Sequence, residues 1–235
     1  MVVKLDLFRK GAVCKGRVDQ NRKSHYLGFM QAYNKAICVA RNYAAHAAEL
    51  HNPIPAEPVF FIKPASAIRP FAQPIHLPTQ LGECHYELEL VAFVGQQIRQ
   101  ASPEQAIKCL AGWGLGLDLT LRDLQNKLKD QGHPWEMAKA FDASLPLSPL
   151  LPLDCLNPLD CLLELKINGQ TRQKESTKMM LTPVAQQLSR ASQYFTLEPG
   201  DILLTGTPQG VGALRSGDKL EASLDGKYIF TTEVL

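Results

Sequence analysis

No charge of one sign dominates this chain: 25 lysines and arginines stand against 23 acids in 235 residues, a net +2. That balance removes the electrostatic case for a nucleic-acid or membrane-surface partner. The first ten residues scatter Lys4, Asp6, Arg9 and Lys10 among apolar positions, so they lack the unbroken hydrophobic run of a signal peptide or a spanning helix. A cytoplasmic protein is expected. The six cysteines, Cys14, Cys38, Cys84, Cys109, Cys155 and Cys161, form no C-x-x-C pair and no zinc-finger spacing, so free thiols are expected. The segment from Thr205 to Gly212 is glycine-rich, yet it lacks a G-K-[ST] ending and opens no evident helix, which argues against nucleotide binding. Internal repeats and low-complexity tracts are absent. What remains is small-molecule chemistry on an ordinary globular chain with 45% hydrophobic residues, long enough for one substantial core.

Residues 1–35 are basic and weakly patterned and are expected to form an N-terminal arm ahead of one catalytic domain over residues 36–235. Ala36 to Ala40 reads as a short buried strand, running into an alanine-rich helix over 41–50 that Pro53 and Pro55 end. Pro58 to Ile62 is a second strand, and 63–81 a proline-punctuated connection. Ser102-Pro103 opens a short capped helix, and Gly112 to Leu119 is a glycine-rich strand with Asp118 at its end. Thr120-Leu121-Arg122-Asp123 has the form of a capping box, predicting a helix to about Asp130. Pro146, Pro149, Pro152 and Pro158 forbid long elements over 144–158. Asn168-Gly169 and Asp225-Gly226 are turn pairs that supply the positive φ angles of tight hairpins, and a helix is predicted over 182–195. Many short strands with few helices give an α+β, β-rich fold.

The chemistry concentrates in Glu87-Leu88-Glu89, inside the run from His85 to Val94 that otherwise reads as an alternating, half-buried strand. Successive side chains of a strand face opposite ways, so Glu87 and Glu89 share a face with His85 beside them. Like charges so close repel unless a cation or a shared proton lies between them, although an E-x-E pair reads equally as a polar face in solvent. Asp118 offers a third carboxylate, or a turn cap. An all-oxygen set suits a hard divalent ion rather than zinc. His46 and Glu49, at i and i+3, share a helix face, where the carboxylate can fix the imidazole tautomer and raise its basicity; an ordinary surface pair has the same spacing. Arg122 and Gln125 are also i, i+3, while Lys139 and Lys63 each lie near bulky residues that can bury an ammonium.

Six segments then stand in one order: Cys38-Val39-Ala40-Arg41-Asn42-Tyr43 with His46 and Glu49; Phe61-Ile62-Lys63-Pro64; His85-Tyr86-Glu87-Leu88-Glu89-Leu90; Leu117-Asp118-Leu119-Thr120 with Arg122, Asp123 and Gln125; Pro134-Trp135 with Lys139; and Leu204-Thr205-Gly206-Thr207-Pro208. Together they resemble the fumarylacetoacetate hydrolase family, and its short single-domain members most. The resemblance implies a β-rich roll of layered mixed sheets, assembled as a homodimer, and carries roles to individual residues. Glu87, Glu89 and Asp118 would hold Mg2+ or Mn2+. His46 and Glu49 would activate water from a mobile lid, with Lys139 and Gln125 at the reacting centre. Arg41, Arg122 and Thr207 would bind substrate, and Lys63 would be structural. The activity it implies is carbon-carbon bond hydrolysis of 3-acylpyruvate-type diketo acids through an enolate. The alternative is oxaloacetate decarboxylation or tautomerisation, or hydroxymuconate-type isomerisation, at the same site; a catalytically silent binding or assembly protein is the remaining reading.

Overall fold

The computed structural model describes residues 33–235, so most of the expected arm, with Cys14, lies outside the described residues. The elements in chain order are β1 (Lys35–Ala40), α1 (Ala44–Glu49), β2 (Val59–Pro64), β3 (Ile68–Pro70), β4 (Cys84–Tyr86), β5 (Leu88–Val94), α2 (Pro103–Lys108), β6 (Leu110–Leu117), β7 (Thr120–Leu121), α3 (Arg122–Asp130), α4 (Glu136–Lys139), β8 (Leu145–Leu147), β9 (Leu162–Ile167), β10 (Gln170–Ser176), α5 (Val184–Ala191), β11 (Ile202–Leu204), β12 (Gly212–Ala213), β13 (Lys219–Leu224) and β14 (Tyr228–Glu233). Strands predominate and helices are short, as an α+β, β-rich chain requires.

A seven-stranded mixed sheet in the order β2-β1-β11-β5-β6-β8-β3 forms the centre, flanked by the four-stranded sheet β10-β9-β13-β14 and the three-stranded sheet β12-β4-β7. In the central sheet β11 runs parallel to β1 and antiparallel to β5, pairing Ala36 with Ile202 and Leu204 with Val91. Both faces of that sheet are covered. Ile37, Leu88, Leu90, Ala92, Leu115 and Leu203 enter the larger core, whereas Cys38, Val91, Phe93, Leu145, Ile202 and Leu204 enter a smaller one on the other side. Each leucine, isoleucine, valine or phenylalanine among them contributes roughly 1.5–3 kcal/mol of transfer free energy when fully buried.

The half-buried alternation expected for residues 85–94 is therefore corrected. The run divides at Glu87: β4 pairs with β12 and β7, while β5 lies between β11 and β6 with all seven residues buried. Alternation fails as a guide because a central strand covered on both faces has no solvent side. The hairpin turns form as predicted, with φ of 53° and 77° at Asn168 and Gly169 and 52° and 61° at Asp225 and Gly226. The predicted helices are shorter than expected, running over 44–49 and 184–191, and the proline-punctuated stretches still supply β3 and β8. Ser102 caps α2 reciprocally with Gln105, but no capping box forms at Thr120: Leu121 is the N-cap of α3 and Thr120 is drawn into the site. Among the described residues, Cys38, Cys84, Cys109, Cys155 and Cys161 form no disulfide. Among the described residues no helix is long and apolar enough to cross a membrane.

Candidate functional site

The division at Glu87 builds the site. Leu88 pairs with Leu117 and Glu89 with Gly116, so the end of β6 brings Asp118 beside the start of β5, and the Asp118 N–H donates to the Glu87 carbonyl at 2.8 Å. Glu87, Glu89 and Asp118 are all buried, and one carboxylate oxygen from each lies within 4.8 Å of the others. His85 stays outside this set: its Nε2 faces Glu83 at 3.4 Å.

Three cations surround the acids. Lys139, at the end of α4, places Nζ 2.8 Å from Glu87 Oε2, 2.7 Å from Asp118 Oδ2 and 2.7 Å from Thr120 Oγ1. Arg122, in the first turn of α3, donates to Glu87 Oε1 and, at 2.7 Å, to Gln125 Oε1. Lys63 is fully buried, with Nζ 2.8 Å from Asp118 Oδ1 and donating to the carbonyls of Leu119, Lys139 and Ser144. It ties β2 to the chain behind the site.

This field treats the two glutamates oppositely. Burial would raise the Glu87 carboxyl, but Lys139, Arg122 and His46 together hold it well below the usual carboxylate range. Burial raises Glu89, and the like charges of Asp118 and Glu87 raise it further, against the Gly206 N–H at 2.7 Å and the more distant Lys139. Lys139 is pushed down by burial yet ends above the ordinary lysine range because Asp118 and Glu87 favour its charge. The repulsion left at Glu89 is what a bound divalent cation relieves, and the carboxylate-only donor set suits a hard ion. The residues fit the group.

Above the acids, β1 leaves the sheet through Arg41, which takes a φ of 59°, and enters α1. His46 is buried on α1 with Nδ1 3.3 Å from Glu49 Oε2, and the Glu49 oxygens accept the Gly210 N–H at 3.0 and 3.2 Å. The Arg41 guanidinium lies 5.9 Å over the Trp135 ring. Thr207 Oγ1 donates to the Leu88 carbonyl at 2.9 Å and accepts from Gln173 Nε2 at 2.9 Å, so its hydroxyl already has partners within the protein.

A cleft open to solvent collects these groups: Arg41, His46, Glu87, Glu89, Asp118, Arg122, Gln125, Lys139 and Thr207 all line it, with Glu49 behind His46. Asn52, Lys129 and Trp135 join the same lining, and two buried amides, Asn42 and Gln173, brace it; Trp135 and Asn42 lie in segments singled out above, whereas Asn52, Lys129 and Gln173 do not. Asn42 bonds the Thr205 and Thr182 carbonyls and the Thr182 N–H. Gln173 accepts from the Leu88 N–H and donates to Thr207 and Pro208. A register shift in β10 between Thr171 and Gln173 turns that amide inward, and no residue pattern announces it.

A family model described as the C-terminal domain of fumarylacetoacetate hydrolase matches residues 35–235. The chain belongs to the fumarylacetoacetate hydrolase family. It is 45% identical over 204 residues, 86% of this chain and 93% of the other, to oxaloacetate tautomerase YcgM of Escherichia coli K12. Its fold is similar to that of a member of this family from Yersinia pestis CO92, with a TM-score of 0.85 and 44% identity over 86% of this chain and 94% of the other. A second crystal structure, fumarylpyruvate hydrolase from Pseudomonas aeruginosa in complex with Mn2+ and pyruvate, matches with a TM-score of 0.81 and 38% identity over 86% and 90%. The family is one of enzymes, and the carboxylates predicted to bind metal sit together in the cleft of this member.

Proposed function

We propose that this family member is a divalent-metal-dependent keto-enol tautomerase of oxaloacetate or a closely related 2-oxo acid. The observation that carries the reading is the buried Glu87, Glu89 and Asp118 triad at the floor of a cation-lined cleft, in a chain 45% identical to an oxaloacetate tautomerase. Mg2+ or Mn2+ held by those three carboxylates would supply Lewis acidity toward the carboxylate and adjacent carbonyl of the substrate. Arg122, fixed by Glu87 and Gln125, presents a planar donor that orients the substrate head. Lys139 and Gln125 favour negative charge on the carbonyl oxygen as the enolate forms. His46, with Nδ1 held by Glu49, carries the proton between carbon and oxygen through its other nitrogen.

Carbon-carbon bond hydrolysis of a 3-acylpyruvate is the second reading, favoured by the buried His46–Glu49 pair and by the likeness to a fumarylpyruvate hydrolase. There the same imidazole takes a proton from water instead. Decay of the enol absorbance of oxaloacetate, compared with cleavage of acetylpyruvate under Mg2+ and Mn2+, separates the two. Acetylpyruvate cleavage without faster enol decay would reverse their order. The proposal includes a cytoplasmic homodimer, and sedimentation of the purified protein measures the assembly.

A further inference from the structure

Arg122, Gln125 and Lys129 occupy successive positions on one face of α3, at spacings of three and four residues, and all line the cleft. Two turns separate Arg122 from Lys129, about 10 Å along the axis. Arg122 is committed to Glu87 and Gln125, but Lys129 stands free of the carboxylates: its Nζ donates to Asn52 Oδ1 at 2.8 Å, just beyond α1. Arg41 projects into the same mouth with its guanidinium on Trp135. Among the described residues neither Arg41 nor Lys129 has an acidic partner within ion-pair distance. Burial, and then the like charges of Arg41 and Arg122, push the Lys129 ammonium below the ordinary lysine range. Positive charge is thus gathered at the mouth, with only the neighbouring Asp130 acting against it on Lys129.

We infer that Lys129, seated by Asn52 and flanked by Arg41, receives the far carboxylate of a dicarboxylic keto acid whose head lies over Glu87, Glu89 and Asp118. The inference rests on the proposed site and deepens it: the preferred substrates carry a second carboxylate, whichever reaction follows. An ammonium on a long stem reaches toward that carboxylate, and the Asn52 side chain leaves two of its three donor positions open. A neutral acyl tail would leave the mouth cations unpaired, so selectivity is set by this charge rather than by cleft volume.

The test is a binding measurement that needs no turnover. The protein loaded with Mn2+ is titrated calorimetrically with 3,3-difluoro-oxaloacetate, which has no proton on C3 to lose, and with its 4-methyl ester, which lacks the far charge. Wild type is expected to prefer the diacid, and Lys129→Met to weaken the diacid about 10- to 100-fold, the equivalent of one charged hydrogen bond, while leaving the ester unchanged. Lys129→Arg should restore the diacid to within a few-fold, and Asn52→Ala should weaken it less than Lys129→Met. Equal weakening of both ligands, no preference in wild type, or binding of neither overturns the assignment. Oxaloacetate turnover, measured separately, decides the tautomerase reading, so failure of one is distinguishable from failure of the other.

Discussion

Glu49 faces two partners at once: Oε2 meets His46 Nδ1 at 3.3 Å, and both carboxylate oxygens receive the Gly210 N–H. One side chain thus orients the imidazole and fastens the six-residue helix α1 to the glycine-rich loop beyond β11. A helix so short has little stability of its own, and α1 has no side-chain N-cap. Glu49→Ala is expected to speed amide exchange over residues 44–51 and to lower kcat about 10²- to 10⁴-fold, the usual worth of a positioned acid-base group. Unchanged exchange in that segment would sever α1 from the Gly210 loop.

Gly210 completes the same fastening from the other side. Its φ is +95°, and a Cβ there would stand 2.1 Å from the Arg172 carbonyl oxygen. Gly210→Ala must therefore move the loop away from β10, at a cost on the order of 1–3 kcal/mol for the strained backbone alone. Urea denaturation should show that loss, and amide exchange in α1 should rise as it does in Glu49→Ala. A variant as stable as wild type would place the loop elsewhere in solution.

Lys139 predicts a separate effect on the metal-free protein. Its ammonium lies between Glu87 and Asp118, so Lys139→Met leaves Glu87 with Arg122 and Asp118 with Lys63 as their remaining cations, and removing one partner of such a buried set costs at most about 3–5 kcal/mol. Added Mn2+ should recover part of that loss, because it neutralises the same oxygens. Urea curves with and without metal measure both, and a variant equally stable in the two conditions would contradict the arrangement.

The raised Glu89 carboxyl gives a signed pH dependence. Its folded value lies well above about 4.5, so between the two values the native state holds a proton that the unfolded chain does not. Its contribution to stability is therefore full below about pH 4.5 and is lost as pH rises through the folded value. Glu87 works in reverse: it stabilises above the unfolded carboxylate value and loses that contribution as pH falls. Metal must displace the Glu89 proton, so affinity should increase with pH, with proton release visible in calorimetry in buffers of different ionisation enthalpy. Glu89→Gln should bind more weakly and release no proton; equal affinity and equal release in both proteins would remove Glu89 from the ligand set.

Much of this arrangement was legible in the residues because local rules applied. The Asn168-Gly169 and Asp225-Gly226 turns, the Ser102 cap and the strand end at Asp118 each rest on a few neighbouring residues, and the order of six short segments pointed to one family. The failures have a common cause in long-range packing. Whether residues 85–94 met solvent depended on a second core over the sheet, Thr120 was diverted from capping by Lys139, and Gln173 entered the site through a shifted register. Lys129 went unnoticed because nothing in its own sequence neighbourhood distinguishes it from a solvated lysine.

The position of β11 between β1 and β5 also governs when the molecule can be finished. Ala36 finds its partner in Ile202, 166 residues further on, so the central sheet cannot close until β11 has left the ribosome. The next residues matter as much, since the Gly206 N–H is the donor that meets Glu89. Contacts this distant in sequence slow folding. A nascent or clipped chain ending before residue 202 thus carries all three acids and α1, yet lacks the strand and the amide that seat them.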